Sequence, residues 1–447
     1  MAVWSIVKKS ETSSTFRLDA EFYQPDYLAF EKATASGDLL ANVVHKIMHP
    51  VEITRIYVDE GIRILLAQNI RPNRLEMSYA VYMPQAVEPV LAKNRLEVGD
   101  VVMTRSGANY GDAATFLGAS EDVYACADCL VIRPKSVSGG YLATYFNTNA
   151  GRALLDRGAY GAGQPHIAPT YLRELRIPRH GRLEADVESN VHAAHAKTNE
   201  ASLHYAEAEA LLQSALGLDK LDLTPRLFYE RHYAEVQAAA RFDAEYYQPA
   251  KWNVLRALAA MPGNPLEEHF HPVKKLWQPT EQPASASVRN YDLTDALTPF
   301  LDDTTPTATA GEIKSTKKRF EPGDLVVSRL RSYLKEIAVV LPSHGAPQVG
   351  STEFIVLRSR KTGFPPEALL AFLRSTPIQT VLKWCQDGSN HPRFAAKELL
   401  RLPVPDTVLN VQDKIAAKIK DAIAARQESR RLLDEAKEMV EQAILGE

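Results

Sequence analysis

Four short stretches gather the side chains best able to make directional hydrogen bonds outward. TRSGANYGD, at 104–112, carries Arg105, Ser106, Asn109 and Tyr110, and SRLRSYLKE, at 328–336, carries Arg329, Arg331, Tyr333 and Lys335. GAYGAGQPH, at 158–166, carries Tyr160, Gln164 and His166, and QDGSNHPRF, at 386–394, carries Ser389, Asn390, His391 and Arg393. Guanidinium, amide and hydroxyl groups of this kind bond to base edges and to phosphate oxygens. Interleaved glycine allows close backbone approach. A fifth stretch, KSTKKR at 314–319, adds Lys314, Lys317 and Lys318 as a basic strip. Exposed polar loops, local salt bridges and a solvated hairpin would use the same residue types, so position in the fold has to decide.

Catalytic chemistry is poorly supplied. An amino-methyltransferase acting on DNA would carry an Asp/Asn-Pro-Pro-aromatic tetrapeptide, and FPPE at 364–367 is not one. No G-x-x-x-x-G-K-[ST] phosphate loop occurs, and GAYGAG at 158–163 follows a helical pattern instead of joining a strand to a helix. No nuclease-like set of Asp, Glu and Lys spans two strand-like runs. Cys126 and Cys129 form a C-x-x-C pair without the second pair that a closed zinc site needs, and strand alternation is expected to send the two thiols to opposite faces. HFH at 269–271 and HAAH at 192–195 have ligand-like spacing but no companion. No metal or cofactor site is expected in this chain.

The elements that must position the loops are written twice. RLDAEFYQP at 17–25 returns as RFDAEYYQP at 241–249, and RLEVGDVVMTR at 95–105 as RFEPGDLVVSR at 319–329, both 224 positions on. CADCLVIRP at 126–134 aligns with STEFIVLRS at 351–359, and GQPHIAPTYLRELRIP at 163–178 with NHPRFAAKELLRLPVP at 390–405. Between these anchors, 45–94 and 269–318 have diverged, which is the pattern of two related readers with different targets. Arg105 and Arg329 recur, suggesting a shared task such as positioning on phosphate. Cys126 and Cys129 do not recur; Ser351 and Phe354 stand in their places.

DVVMT, DLVVS, CLVIRP and FIVLRS read as short buried strands. GGYLATYFNTNAGRALLD and PPEALLAFLRSTPIQTVLKW each read as an amphipathic helix after turn residues. Each half is therefore expected to be α+β and to end in a long helix. Val187, Val191, Ala194, Thr198, Ala201, Tyr205, Ala208, Leu212 and Ala215 alternate spacings of four and three. Ile415, Ile419, Ala422, Arg426, Ser429, Leu433, Ala436, Val440 and Ala443 repeat them 228 positions on. Strict heptad phase marks a coiled-coil seam, with Thr198, Arg426 and Ser429 able to fix register. From Val187 to Ala215 such a helix runs roughly 44 Å. That is close to the ~34 Å spacing of half-sites read by dimeric DNA-binding proteins.

At 447 residues with 45% hydrophobic content, the chain is long enough for two or three folded domains. Its net charge of −3 does not advertise nucleic acid; residues 241–405 carry 21 Lys/Arg against 17 Asp/Glu, while 15–180 carry 17 against 18. Three cysteines exclude a disulfide framework and fit a reducing cytoplasm. No apolar run approaches the ~20 residues that span a bilayer. MAVWSIVKK places its apolar residues before its lysines, the reverse of a secretory signal, so a cytoplasmic location is expected.

The doubled order of DAEFYQP, GDVVMTRSG, GQPHI…LRELRIP and long helix closely resembles the DNA specificity (S) subunit of type I restriction-modification systems, over nearly the whole chain. The resemblance implies target recognition domains at 1–180 and 226–405, helical spacers at 181–225 and 406–447, and pseudo-twofold symmetry. The spacers would form an antiparallel coiled coil with seam residues Val187, Val191, Tyr205, Leu212, Ile415, Ile419, Leu433 and Val440. It further implies double-stranded DNA read as a bipartite asymmetric site, two methyltransferase subunits docked on the helices, and nuclease/translocase subunits able to join. S-adenosylmethionine, ATP and magnesium would belong to those partners. The competing expectation is a protein scaffold of a defence complex that no longer reads DNA. The nonapeptide itself is expected to frame each domain, with Arg17, Asp19, Arg241 and Asp243 pairing locally.

Overall fold

A computed structural model describes residues 4–8, 12, 17–77, 80–161, 163–360 and 363–446. The chain divides into two compact units: one runs to Asn199 and resumes at Arg426, and the other is Glu200–Ala425.

In the first unit a four-stranded antiparallel sheet has the order Val44–Met48, Cys129–Pro134, Val101–Thr104, Ala113–Thr115. Its central strands are buried on both faces, so alternation splits their side chains between two cores. Val101, Met103, Leu130 and Ile132 join Tyr141, Leu142, Tyr145 and Phe146 of the following helix. Val102, Cys129 and Val131 turn the other way, into a core with Ile62, Ile64 and Tyr124. That core belongs to a smaller sheet of Val81–Met83, Ile62–Leu65 and Val123–Ala125, in which the last two strands run parallel.

The second unit repeats the plan. Phe354–Ser359 and Leu325–Ser328 are neighbours in a five-stranded sheet. Leu325, Val327, Ile355 and Leu357 enter the helical core, while Val326, Phe354 and Val356 enter another. Ser287–Tyr291 runs parallel to Gln348–Gly350, as Ile62–Leu65 does to Val123–Ala125.

Both units build the same turn before the central strand. Gly99 and Gly323 sit at φ of 93° and 86°, a left-handed conformation that suits glycine. The next residues, Asp100 and Asp324, are each 1% exposed. Each carboxylate caps its turn at 2.8 Å, through the amides of Glu97 and Glu321. Each also receives an arginine fork from the neighbouring strand: Arg133 at 2.8 and 2.8 Å, and Arg358 at 2.7 and 2.9 Å. A carboxylate this buried is tolerable because the paired guanidinium and amide donors replace its water.

The nonapeptide frames each unit as expected. Arg17 grips Asp19 and Arg241 grips Asp243, each at 2.8 and 2.6 Å. The same guanidinium groups reach the carbonyls of Arg157 and Cys385. They also stack over Phe22 and Tyr246 at 4.7 and 4.4 Å.

Three sequence expectations change here. Each stretch expected as one amphipathic helix forms two: Gly139–Asn147 with Asn149–Gly158, and Pro366–Arg374 with Thr376–Trp384. The first break is a cap, the Thr148 hydroxyl accepting from the Gly151 amide at 3.0 Å. At the second, Pro377 lacks the amide to continue a helix and opens a new one instead. The C-x-x-C thiols do not point apart: a turn at Ala127–Asp128 interrupts the strand and brings the two sulfurs to 3.7 Å.

Among the described residues, two helices exceed thirty residues: Arg182–Leu216 and Gln412–Leu445. In the first unit the start of one lies by the end of the other. Val187 shares a core with Ala436, Val440 and Ile444, and the Thr198 hydroxyl lies 3.0 Å from that of Ser429. In the second unit Ala208, Leu212 and Leu216 share a core with Ile415, Ile419 and Ile423, and Lys418 pairs with Glu207 at 2.7 Å. Val187, Val191, Leu212, Ile415, Ile419 and Val440 are buried, and Tyr205 and Leu433 are half-buried. At the two C-terminal ends the phase slips by one residue, Leu216 and Ile444 being buried in place of Ala215 and Ala443. No helix of the described residues is long and apolar enough to cross a membrane.

Candidate nucleic-acid interface

The two loop pairs picked from sequence meet in the fold, in the same way in each unit. In the first, the Ile167 amide donates to the Arg105 carbonyl at 3.1 Å, and Tyr160 and His166 exchange backbone bonds at 3.0 and 2.8 Å. In the second, the Phe394 amide donates to the Arg329 carbonyl at 3.1 Å, and Asp387 and Arg393 exchange bonds at 2.8 and 2.9 Å. The arginine just after each central strand thus fixes the outer loop behind it. In each unit the first loop joins two neighbouring sheet strands and the second follows the helix pair, so residues about 60 apart share a surface.

Within the first unit the individual side chains differ in freedom. The Arg105 guanidinium makes no ion pair among the described residues, and its Nε is buried without a hydrogen-bond partner. Asn109 stands at the exposed tip of its loop, and Gln164 is exposed as well. Tyr160 is 49% exposed, its ring 5.8 Å from that of His166. Ser106 is buried and bridges His166 through the backbone. Tyr110 is held inward: its phenol donates to Asp156 at 2.7 Å and its ring carries Arg152 at 4.9 Å. Burial, with the bond to Asp156, pushes that phenol up to about 12. Ala162, in the middle of the second loop, lies outside the described residues.

The second unit is more self-contained. Glu353 receives Arg329 Nε at 2.8 Å and Arg393 through Nε and Nη2 at 2.9 to 3.1 Å. The bonds from Arg393, and then those from Arg329, hold its carboxyl below the usual carboxylate range. Arg331 stands at φ 48° and Lys335 at φ 54°, both left-handed without being glycine. Each such residue costs on the order of 1 kcal/mol, and such strain gathers at functional loops. Tyr333, between them, is 54% exposed. Ser389, Asn390 and His391 form the exposed edge of the partner loop, tied back where Arg331 donates to the Asn390 carbonyl at 3.2 Å.

The basic strip does not form a solvated hairpin. Lys317–Arg319 is a strand of a five-stranded sheet, between Leu276–Trp277 and Gln348–Gly350. Lys318 is half-buried and donates to the Phe354 carbonyl, and burial together with nearby Arg329 lowers its ammonium. Lys314 donates to the Gly311 carbonyl at 2.8 Å, and the Lys317 ammonium has no hydrogen bond or ion pair among the described residues.

Sequence reasoning missed two acids and an arginine. Asp128 and Glu353 occupy matching places in the aligned CADCLVIRP and STEFIVLRS, and their backbone carbonyls accept the amides of Arg105 and Arg329 at 2.8 and 3.1 Å. Asp128 holds Arg55, from the divergent insert, at 2.6 Å. The signal was an acid shared by both copies just before a buried strand. Among the described residues no three or more His, Cys, Asp or Glu side chains cluster as metal ligands.

No protein-family model matches the chain, and no curated protein matches it either. Among solved structures it is similar to the type I restriction-modification system S subunit from M. genitalium, at 11% identity over 92% of this chain and 94% of that one, with a TM-score of 0.42. It is also similar to the HsdS subunit from Thermoanaerobacter tengcongensis, at 12% identity over 91% and 95%, with a TM-score of 0.27. A chain from a structure on complex assembly and conformational transition of the type I R-M system matches at 13% identity over 92% and 98%, with a TM-score of 0.28. The first two of these structural neighbours are S (HsdS) subunits, and the third comes from a type I R-M system.

Proposed function

We propose that the chain is the non-catalytic DNA-specificity subunit of a type I-like restriction-modification complex. The observation that carries this is the duplication, present in sequence and in side-chain geometry alike. The Arg17–Asp19 and Arg241–Asp243 forks, the Asp100–Arg133 and Asp324–Arg358 forks, and the paired outer loops each occur once per unit. A homodimer reads a symmetric site. One chain that imitates a dimer is free to diverge in its inserts and read two different half-sites.

In this proposal Arg105, Asn109, Gln164, Arg331, Tyr333 and the 389–393 edge face double-stranded DNA, with phosphate contacts supplying most of the affinity. The two long helices pair as an antiparallel coiled coil related by a pseudo-twofold axis. They set the unread gap and dock two methyltransferase subunits, which a nuclease/translocase can join. S-adenosylmethionine, ATP and magnesium are the partners' cofactors, and the complex works in the cytoplasm.

A protein-binding scaffold is the competing function. The net charge of −3 and the arginines neutralised on Glu353 favour it. The test is recovery of the tagged full chain from its host, with its partners identified and genomic methylation mapped with and without the gene. A methyltransferase partner and a bipartite methylated motif that vanishes with the gene support specificity. Other partners with methylation unchanged would establish the scaffold.

A further inference from the structure

The duplicated acid holds a guanidinium in both units, but a different one in each. Asp128 takes Arg55, which the first divergent insert supplies, at 2.6 Å. Glu353 takes Arg329 through Nε alone, and so leaves both terminal nitrogens of Arg329 without a protein partner among the described residues. Its other contacts fork Arg393, whose Nη1 is used on the His391 carbonyl at 2.9 Å. A carboxylate bond to one guanidinium nitrogen restricts a long side chain that would otherwise sample many rotamers, and the remaining planar donors suit a pair of adjacent acceptors. The Arg55 and Arg329 side chains are 36% and 44% exposed, enough to reach a ligand while held.

We propose that Asp128 and Glu353 are positioning residues that pose Arg55 and Arg329 toward two neighbouring acceptor atoms of the DNA. Guanine O6 with N7, or two oxygens of one phosphate, present that chemistry. The proposal rests on the DNA-reading function above. It adds Arg55 as a contact residue and places it in the segment where the two halves differ most, as two different targets require.

The test is selection from random duplex DNA by the full chain, comparing wild type with Arg55→Ala, Asp128→Asn, Arg329→Ala, Arg329→Lys and Glu353→Gln. If the acceptor is guanine, Arg329→Ala and Glu353→Gln lose preference at one shared base position, by on the order of 10-fold. Arg55→Ala and Asp128→Asn then lose it at a position in the other half-site. Arg329→Lys keeps non-specific affinity and loses the same position, and Glu353→Gln matching it is an effect that a purely structural role for Glu353 would not produce. If the acceptor is phosphate, every position is retained and each acid variant weakens all sequences alongside its arginine variant. Acid variants that behave as wild type while the arginine variants do not would overturn the positioning role, and unaffected arginine variants would overturn the contact. A wild-type chain that binds no DNA would instead overturn the specificity function itself, and this inference with it.

Discussion

The hydroxyls of Thr198 and Ser429 lie 3.0 Å apart, and both bond the carbonyl of Ala194, at 3.1 and 2.8 Å. The two hydroxyls thus converge on one backbone oxygen. Ser429→Ala is expected to cost about 1 to 2 kcal/mol, because it strips partners from a buried group. Thr198→Ala should cost less in that background than alone, since the two share one network. Urea unfolding of the single and double variants measures this; strictly additive losses would show that the hydroxyls act separately.

Arg105 offers a cation with no ion pair among the described residues at the base of the first outer loop. Arg105→Ala is expected to weaken binding to all duplexes alike and to lower the slope of log affinity against log salt by about one. A loss confined to one base position would make it a base reader, and unchanged binding would remove it from the interface.

Asp324 carries the fork that joins turn and central strand in the second unit. Asp324→Ala should destabilise that unit by about 3 kcal/mol, because it leaves Arg358 beside the buried site of its lost partner. Thermal and denaturant unfolding would register it; a change below 1 kcal/mol would mean that Glu321, 2.7 Å from Arg358, replaces the contact.

Lys251 is 1% exposed, with its ammonium 3.1 Å from the centre of the Tyr246 ring. Burial pushes it down to about 8. An unfolded lysine binds its proton up to about 10.4, so between the two values the unfolded chain holds more protons and this group's contribution to stability rises with pH. Lys251→Met is expected to stabilise the protein at pH 7 by on the order of 1 to 3 kcal/mol, with the gain shrinking toward pH 10. Denaturant midpoints at the two pH values test the sign.

Removing one heptad from each long helix should shorten the gap of the methylated motif by about 3 base pairs, given 1.5 Å of helix rise per residue and ~3.4 Å per base pair. An unchanged gap would refute the spacing role.

The heptad helices and the duplicated frame were legible in the sequence because both rest on local periodicity or on repetition, which need no knowledge of tertiary contacts. Val187, Val191, Ile415 and Ile419 are buried where the pattern placed them. The paired outer loops were legible as segments, but not their internal bonds. Glu353 was missed because its partners are 24 and 40 residues away. Arg55 was missed because its insert has no counterpart to align. The thiols of Cys126 and Cys129 were placed on opposite faces by assuming an unbroken strand, and a two-residue turn reversed the geometry. Lys318 was read by charge alone, whereas sheet pairing buries it.

The unit that begins the chain also needs its end. Ala436, Val440 and Ile444 belong to the same core as Val101 and Leu130, while every residue of the other unit lies between Glu200 and Ala425. During synthesis the second unit therefore has all its residues before the first does. The core that holds Val101 keeps an open flank until the ribosome delivers the helical turns beyond Arg426. A stop codon that removed Ala436, Val440 and Ile444 would injure a core whose strands were translated about three hundred residues earlier.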